Sequence, residues 1–188
     1  MNRKEHWERV YSSKELQEVS WYEPTPQVSL DFITSFNLTK NAEIIDIGGG
    51  DSFLTDHLLE AGFTNITVLD ISEAAINRAK QRLGDKAGMV KWIVTDVTAF
   101  DPPCLYDFWH DRATFHFLIT KEEVERYVRI TAKAVKNDGK MLIGTFSENG
   151  PEKCSGLPVK QYTEESLSKI IRRWFKKIKC INVDHITP

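Results

Sequence analysis

Two short stretches of this 188-residue chain hold the side chains best suited to chemistry. The first is Ile44-Ile45-Asp46-Ile47-Gly48-Gly49-Gly50-Asp51-Ser52-Phe53-Leu54, with Asp70 twenty residues beyond Gly50. Glycines between a strand and a helix let the chain turn sharply and let a ligand approach the backbone with no Cβ in the way. A carboxylate at the tip of the next strand can accept hydrogen bonds from both hydroxyls of a ribose. The pair points to an adenosine-containing ligand far more strongly than the glycines alone. The second stretch is Asp107-Phe108-Trp109-His110-Asp111-Arg112-Ala113-Thr114-Phe115-His116-Phe117. Histidines there could take a proton from a substrate, and Asp111 and Arg112 could orient it. The plainer readings are a local ion pair for Asp111 and Arg112 and a semi-buried core histidine for His116, which has a Phe on each side.

The glycine stretch distinguishes between adenosine ligands. A dinucleotide loop, G-x-G-x-x-G, requires its third glycine at position 53, where Phe53 stands. Asp46 would also repel a pyrophosphate, whereas a cationic aminoacyl group tolerates it. Asp46-x-Gly48-x-Gly50-x-Ser52 resembles the Asp-x-Gly-x-Gly-x-Gly motif of class I S-adenosylmethionine-dependent methyltransferases, with Ser52 in place of the last glycine. That resemblance implies S-adenosylmethionine as cofactor and S-adenosylhomocysteine as product. It places Asp46, Gly48, Gly49, Gly50, Asp51 and Ser52 around the cofactor and Asp70 and Ile71 at its ribose. Asp96 and Val97 would read the adenine edge, though Asp96 alone is as easily an ordinary strand-end turn residue. Trp7-x-x-x-Tyr11 resembles the short helix that covers the cofactor in such enzymes. His110, Asp111, Arg112 and His116 would border the methyl group.

Asp111-Arg112 and the loop from Gly150 to Pro158 look like a bacterial subgroup, more distantly similar to thiopurine and tellurite-resistance methyltransferases. Other relatives with a similar N-terminus methylate protein lysines. The acceptor therefore stays open between a small thiol or metalloid and a protein side chain, and no metal is implied. A non-catalytic cofactor-binding module and a nicotinamide-dependent oxidoreductase are the competing readings. The second is disfavoured by Phe53 and by the lack of a Tyr/Lys or hydride-relay signature.

The elements that must hold these residues follow from alternating β-branched runs and helical spacings, the signature of βαβ units. Strands are expected at 42–47, 64–69, 89–94, 106–109, 140–146 and 179–185. Helices are expected at 29–38, 53–59, 72–82, 121–135 (behind the capping box Thr120-Lys121-Glu122-Glu123) and from Thr163 to about Trp174. Asn137-Asp138-Gly139 reads as a turn and 147–160 as a loop. The fold expected is α/β, a Rossmann-like three-layer sandwich with a mostly parallel sheet, in one methyltransferase domain over 1–188. Residues 1–25, with Trp7, Tyr11, Trp21 and Tyr22, form an N-terminal flap or lid on the 26–188 core. Relatives of this fold end in an antiparallel hairpin, so the last strand is expected to be missing from this chain.

Ten Phe, five Trp and five Tyr supply enough apolar surface for a packed core. A formal charge of −2 argues against nucleic acid as a partner. The basic residues Arg172, Arg173, Lys176, Lys177 and Lys179 interleave with Ile171, Trp174, Phe175 and Ile178, which reads as a solvated face. No apolar run approaches a membrane span, and the opening residues carry no secretory h-region. Cys104, Cys154 and Cys180 show no ligand spacing. A cytoplasmic protein is expected, of undetermined oligomeric state.

Overall fold

The computed structural model describes residues 2–184. Helices α1 (Arg3–Ser13) and α2 (Gln27–Ser35) precede β1 (Glu43–Ile47), α3 (Leu54–Glu60), β2 (Asn65–Asp70), α4 (Glu73–Leu83) and β3 (Val90–Val94). Then come β4 (Tyr106–Arg112), α5 (Lys121–Ala134), β5 (Val135–Gly144), a small hairpin of β6 (Lys153–Cys154) and β7 (Leu157–Pro158), and α6 (Glu164–Ile171). The five long strands pair in the order β3-β2-β1-β4-β5, all parallel. The order reverses between β1 and β4, and ligands of open α/β sheets bind beyond the carboxyl ends of the strands at such a point.

The strand sequences explain the layering. Parallel strands covered on both faces are apolar on both sides, as Ile44, Ile45 and Ile47 are in β1 and Ile66, Val68 and Leu69 in β2, all 1% exposed or less. Alternation sends Ile45 and Ile47 to one core, with Trp109, Phe115 and Tyr127, and Ile44 to the other, with Ile33, Leu58, Val68 and Phe108. Helix starts carry the caps that their sequences announce. Ser72 accepts from the Ala75 amide at the head of α4, and Thr120 forms its capping box with Glu123 at the head of α5.

Several boundaries differ from the sequence expectation. β4 runs on to Arg112, so His110, Asp111 and Arg112 lie in the strand itself, held by the register His110↔Leu142, Asp111↔Ile143 and Arg112↔Gly144 with β5. The Asn137-Asp138-Gly139 turn is absorbed as a bulge in β5, whose pairing with β4 jumps from Tyr106↔Val135 to Phe108↔Lys140. The 147–160 loop holds the β6–β7 hairpin. α6 ends at Ile171, short of Trp174. The strand expected at 179–185 does not form over 179–184, and His185 lies outside the described residues. The basic residues after α6 are exposed, as expected of a solvated face, but so are Trp174 (50%) and Ile178 (66%) between them. Among the described residues, no helix is long and apolar enough to cross a membrane.

Candidate active site

The three glycines of the loop from β1 to α3 meet contacts that leave no room for a side chain. Gly48 has φ +69°, and a Cβ on it would sit 1.9 Å from Thr114 Oγ1. The Gly48 N–H donates to the Leu69 carbonyl (2.7 Å), tying the loop to the end of β2. At Gly50 a Cβ would come within 2.7 Å of Ala75 Cβ and 2.8 Å of Asp70 Oδ2. That closeness lets the Gly50 N–H donate to Asp70 Oδ2 (3.1 Å), while the Ser72 N–H donates to Oδ1 (2.8 Å). Each carboxylate oxygen of Asp70 is thus fixed by one amide, and each keeps acceptor capacity. Asp70 is 4% exposed, and burial pushes its pKa up to about 6 against the pull of the two amides.

The other expected cofactor residues divide into two groups. Asp46, Gly48, Gly49, Ile71, Asp96, Val97, Trp7 and Tyr11 share a continuous cleft with Asp70, about 1460 Å³ in volume, which runs from the glycine loop past Thr114 to β5 and α6. Asp46 places Oδ1 2.7 Å from His110 Nδ1, while its Oδ2 is buried with no hydrogen-bond partner. Asp96 accepts from the amide and hydroxyl of Thr98 (2.8 and 2.7 Å) and from Arg3 (3.3 Å). Asp51 and Ser52 also border the cleft, yet their polar groups are used by the protein. The Asp51 carboxylate pairs with Arg78 and Arg82, both at 3.2 Å. Burial raises its pKa and the two guanidinium groups oppose the rise. Ser52 Oγ accepts from the Leu54 N–H (3.1 Å) at the start of α3, and its carbonyl accepts from Arg82 (2.8 Å). Asp46 and Asp70 therefore keep carboxylate oxygens with acceptor capacity in the cleft, which suits a ligand rich in donors.

The four residues expected to border the methyl group are not equivalent. Asp111 is fully buried and faces away from the cleft. Its Oδ1 accepts from the Thr114 and Phe115 amides (2.9 and 3.1 Å), and its Oδ2 accepts from the Tyr127 hydroxyl (2.7 Å). Tyr127 in turn accepts from Trp109 Nε1 (2.9 Å). Arg112 lines the cleft and pairs with Glu23 rather than with Asp111. His110 is 3% exposed, with Nδ1 on Asp46 and Nε2 2.8 Å from Ser29 Oγ. His116 is 1% exposed and stacks on Phe146 (centroids 4.6 Å apart, planes at 16°). Neither of its ring nitrogens has a partner, and burial lowers its pKa to about 4, so the ring is neutral at pH 7.

The N-terminal segment covers one side of the cleft. Trp7 packs edge-on to Phe117 (5.1 Å) and Trp21 (5.7 Å), and with Tyr11 and Ala75 these rings form a third buried cluster. Burial, then the Asp70 and Asp51 carboxylates, drives the Tyr11 hydroxyl pKa well above its usual value. Charge pins the helix down. Glu8 accepts from the Glu73 and Ala74 amides (2.6 and 3.1 Å) and the Ser72 hydroxyl (3.2 Å), capping α4 from outside. Arg3 reaches Asp96 and Glu123. Glu8→Ala is expected to cost about 1 kcal/mol of α1 docking. Tryptic cleavage at Lys14 should then run about fivefold faster. An unchanged cleavage rate would show that Glu8 does not hold the helix.

Arg3, Glu8, Glu23, Ser29 and Thr114 thus belong to the site although no spacing in the sequence marks them. Glu8 lies between Trp7 and Tyr11, and Ser29 falls in the first turn of a helix where a small polar residue is ordinary.

Residues 45–141 match the family described as methyltransferase domain. The chain is 31% identical over 106 residues to a malonyl-[acyl-carrier protein] O-methyltransferase of Anoxybacillus flavithermus, covering 56% of this chain and 39% of that protein. It is 25% identical to the EEF1A lysine methyltransferase 2 of Danio rerio, covering 94% of this chain and 76% of that protein. It spans between a fifth and two fifths of the length of several other curated relatives. Among solved structures, the "DhpI-SAM-HEP complex" superposes with a TM-score of 0.71 over 90% of this chain and 85% of that one, at 13% identity, a likeness of fold. The family match begins inside β1 and ends inside β5, taking in the glycine loop, Asp70 and the whole of β4, and on that ground the chain belongs to the methyltransferase domain family.

Proposed function

We propose that this chain transfers a methyl group from S-adenosylmethionine to a nucleophilic acceptor and releases S-adenosylhomocysteine. The observation that carries the reading is Asp70, a buried carboxylate fixed by the Gly50 and Ser72 amides at the carboxyl end of β2, facing three glycines at which no side chain fits. The buried, unpartnered Asp46 Oδ2 adds a second anionic group suited to the ammonium of the same ligand. When bound, S-adenosylmethionine supplies a methyl carbon already activated by its sulfonium.

The chain's own residues bind, align and exclude water. Asp70 accepts from the ribose hydroxyls, with Ile71 beside it. Asp96 and Val97 meet the adenine edge, and the Gly48–Gly50 backbone lies along the ligand. Trp7, Tyr11 and residues 16–25 act as a lid that keeps water from the transfer. His116, neutral and with both nitrogens free of protein partners, can hydrogen-bond an acceptor, while its pKa of about 4 makes it a weak base. Arg112 orients an acceptor once it leaves Glu23. Asp111 supports the turn at 113–115 from behind.

For the acceptor, the likeness to thiopurine and tellurite-resistance enzymes favours a small soft nucleophile, a thiol or a metalloid. The aromatic surroundings of His116 support that choice. The curated relatives are named for a malonyl carrier protein and for EEF1A lysine. Calorimetry with S-adenosylhomocysteine tests the cofactor, and release of that product from S-adenosylmethionine with thiols, tellurite, a lysine peptide and a malonyl thioester tests the reaction. Micromolar binding with turnover on one acceptor is expected. No binding would overturn the reading, and binding without turnover on any of the four would favour a non-catalytic module.

A further inference from the structure

Three elements meet at one buried hydrogen-bonded chain beneath the glycine loop. Asp46 in β1 and His110 in β4 are register partners on adjacent parallel strands, so their side chains share a face, and Ser29 descends onto them from the first turn of α2. The distances are 2.7 Å from His110 Nδ1 to Asp46 Oδ1 and 2.8 Å from His110 Nε2 to Ser29 Oγ. All three residues are at most 3% exposed.

A carboxylate only accepts, so Nδ1 carries a proton and donates to Asp46. The Ser29 hydroxyl, which can both donate and accept, satisfies Nε2 on the other side of the ring. Both ring nitrogens are thereby used inside the protein, which leaves His110 none to offer a substrate. A Ser-His-Asp order also occurs where a serine is activated as a nucleophile, but Ser29 is 1% exposed and sits inside a helix, where a substrate carbonyl has no approach. What the chain does hold is the carboxylate of Asp46. With Oδ1 occupied, Oδ2 is turned against the loop, where a Cβ on Gly49 would lie 2.1 Å from it.

We infer that Ser29 and His110 are positioning residues, which fix Asp46 through the imidazole ring so that its second oxygen serves the aminoacyl end of the ligand. This rests on the cofactor reading above. It places a specificity element in α2, outside the glycine motif. An imidazole oriented by one partner so that it can orient another is the arrangement by which outer groups set the geometry of inner ones.

The test compares two ligands that differ only at the end in question. S-Adenosylhomocysteine carries the amino acid, and 5′-methylthioadenosine carries the nucleoside and sulfur without it. Calorimetry on the full chain is expected to show His110→Leu weakening S-adenosylhomocysteine about 10- to 30-fold and Ser29→Ala about 3- to 10-fold, with 5′-methylthioadenosine changed less than about twofold. Ser29→Thr, which keeps the hydroxyl, and His110→Asn, which keeps an N–H toward Asp46, should return S-adenosylhomocysteine binding to within about threefold of wild type. Equal losses for both ligands would make the chain a merely structural tie between α2 and the sheet and overturn the inference. No loss for either ligand in Ser29→Ala would do the same, and that variant needs little from the core if His110→Leu does not fold. Failure of the wild type to bind either ligand would instead bring down the cofactor reading.

Discussion

Asp70→Ala is expected to weaken S-adenosylhomocysteine binding about 100-fold, since two hydrogen bonds to a charged acceptor are lost at roughly 1.5 kcal/mol each. The carboxylate is already oriented by the Gly50 and Ser72 amides, so little ordering remains to offset what the ligand gains. Asp70→Asn keeps one acceptor and turns the other position into a donor facing an N–H, so it should bind hardly better than Ala. The pH dependence follows from the carboxyl's raised pKa of about 6. The ligand's hydroxyls need the ionised form. Affinity should therefore be level above about pH 7 and fall as the pH drops through 6, by up to tenfold per unit. Calorimetry between pH 5 and 8 checks both points. Asp70→Ala binding within twofold of wild type, or a wild-type affinity level down to pH 5, would sink the ribose assignment.

Asp111→Ala should be the most destabilising single change near the site, at about 3–5 kcal/mol, because it strands groups that have no access to water. The Thr114 and Phe115 amides and the Tyr127 hydroxyl all lose their acceptor, and Tyr127 also holds Trp109 in the core. For a chain of this length that corresponds to a melting temperature lower by about 10 °C. Asp111→Asn retains an acceptor for the two amides and should cost less than half as much. Burial raises the Asp111 pKa to about 6, above its unfolded value, so this group's contribution favours the fold more as pH falls from 7 toward 5. The gap in stability between wild type and Asp111→Asn, read from urea denaturation, should widen in favour of wild type over that range. A melting temperature unchanged in Asp111→Ala, with methyl transfer lost, would return Asp111 to the reacting group.

The parts of this molecule that could be read in the sequence are those in which one residue type has one physical use. Gly48 and Gly50 stand where a Cβ would meet Thr114 or Asp70, and Asp70 ends a strand that otherwise buries Ile66, Val68 and Leu69. The order of strands and helices followed from the same alternation of apolar runs and caps. What could not be read was direction. Nothing in Asp51-Ser52 says that both turn toward α4 and α3, which depends on Arg78 and Arg82 arriving one turn apart from another helix. Asp111 and Arg112 are adjacent in sequence, yet strand alternation sends them to opposite faces, one to Tyr127 and one to Glu23. Reading β4 as ending at Trp109 hid that alternation. The strand expected near the C-terminus carried enough β-branched residues to suggest a partner, but it finds none within 179–184.

The cap that Glu8 places on α4 uses the amides of Glu73 and Ala74 and the Ser72 hydroxyl, while the Ser72 amide holds Asp70. One stretch of chain from 70 to 74 therefore answers to the N-terminal helix on one side and, on the proposed reading, to a nucleoside on the other. Linkage then imposes a symmetry. Whatever factor a ligand on Asp70 adds to the docking of α1, docked α1 adds the same factor to the ligand's affinity. On the proposed reading, the affinity of the ligand is tied to a carboxylate that never touches it, and a change at Glu8 should appear in that affinity.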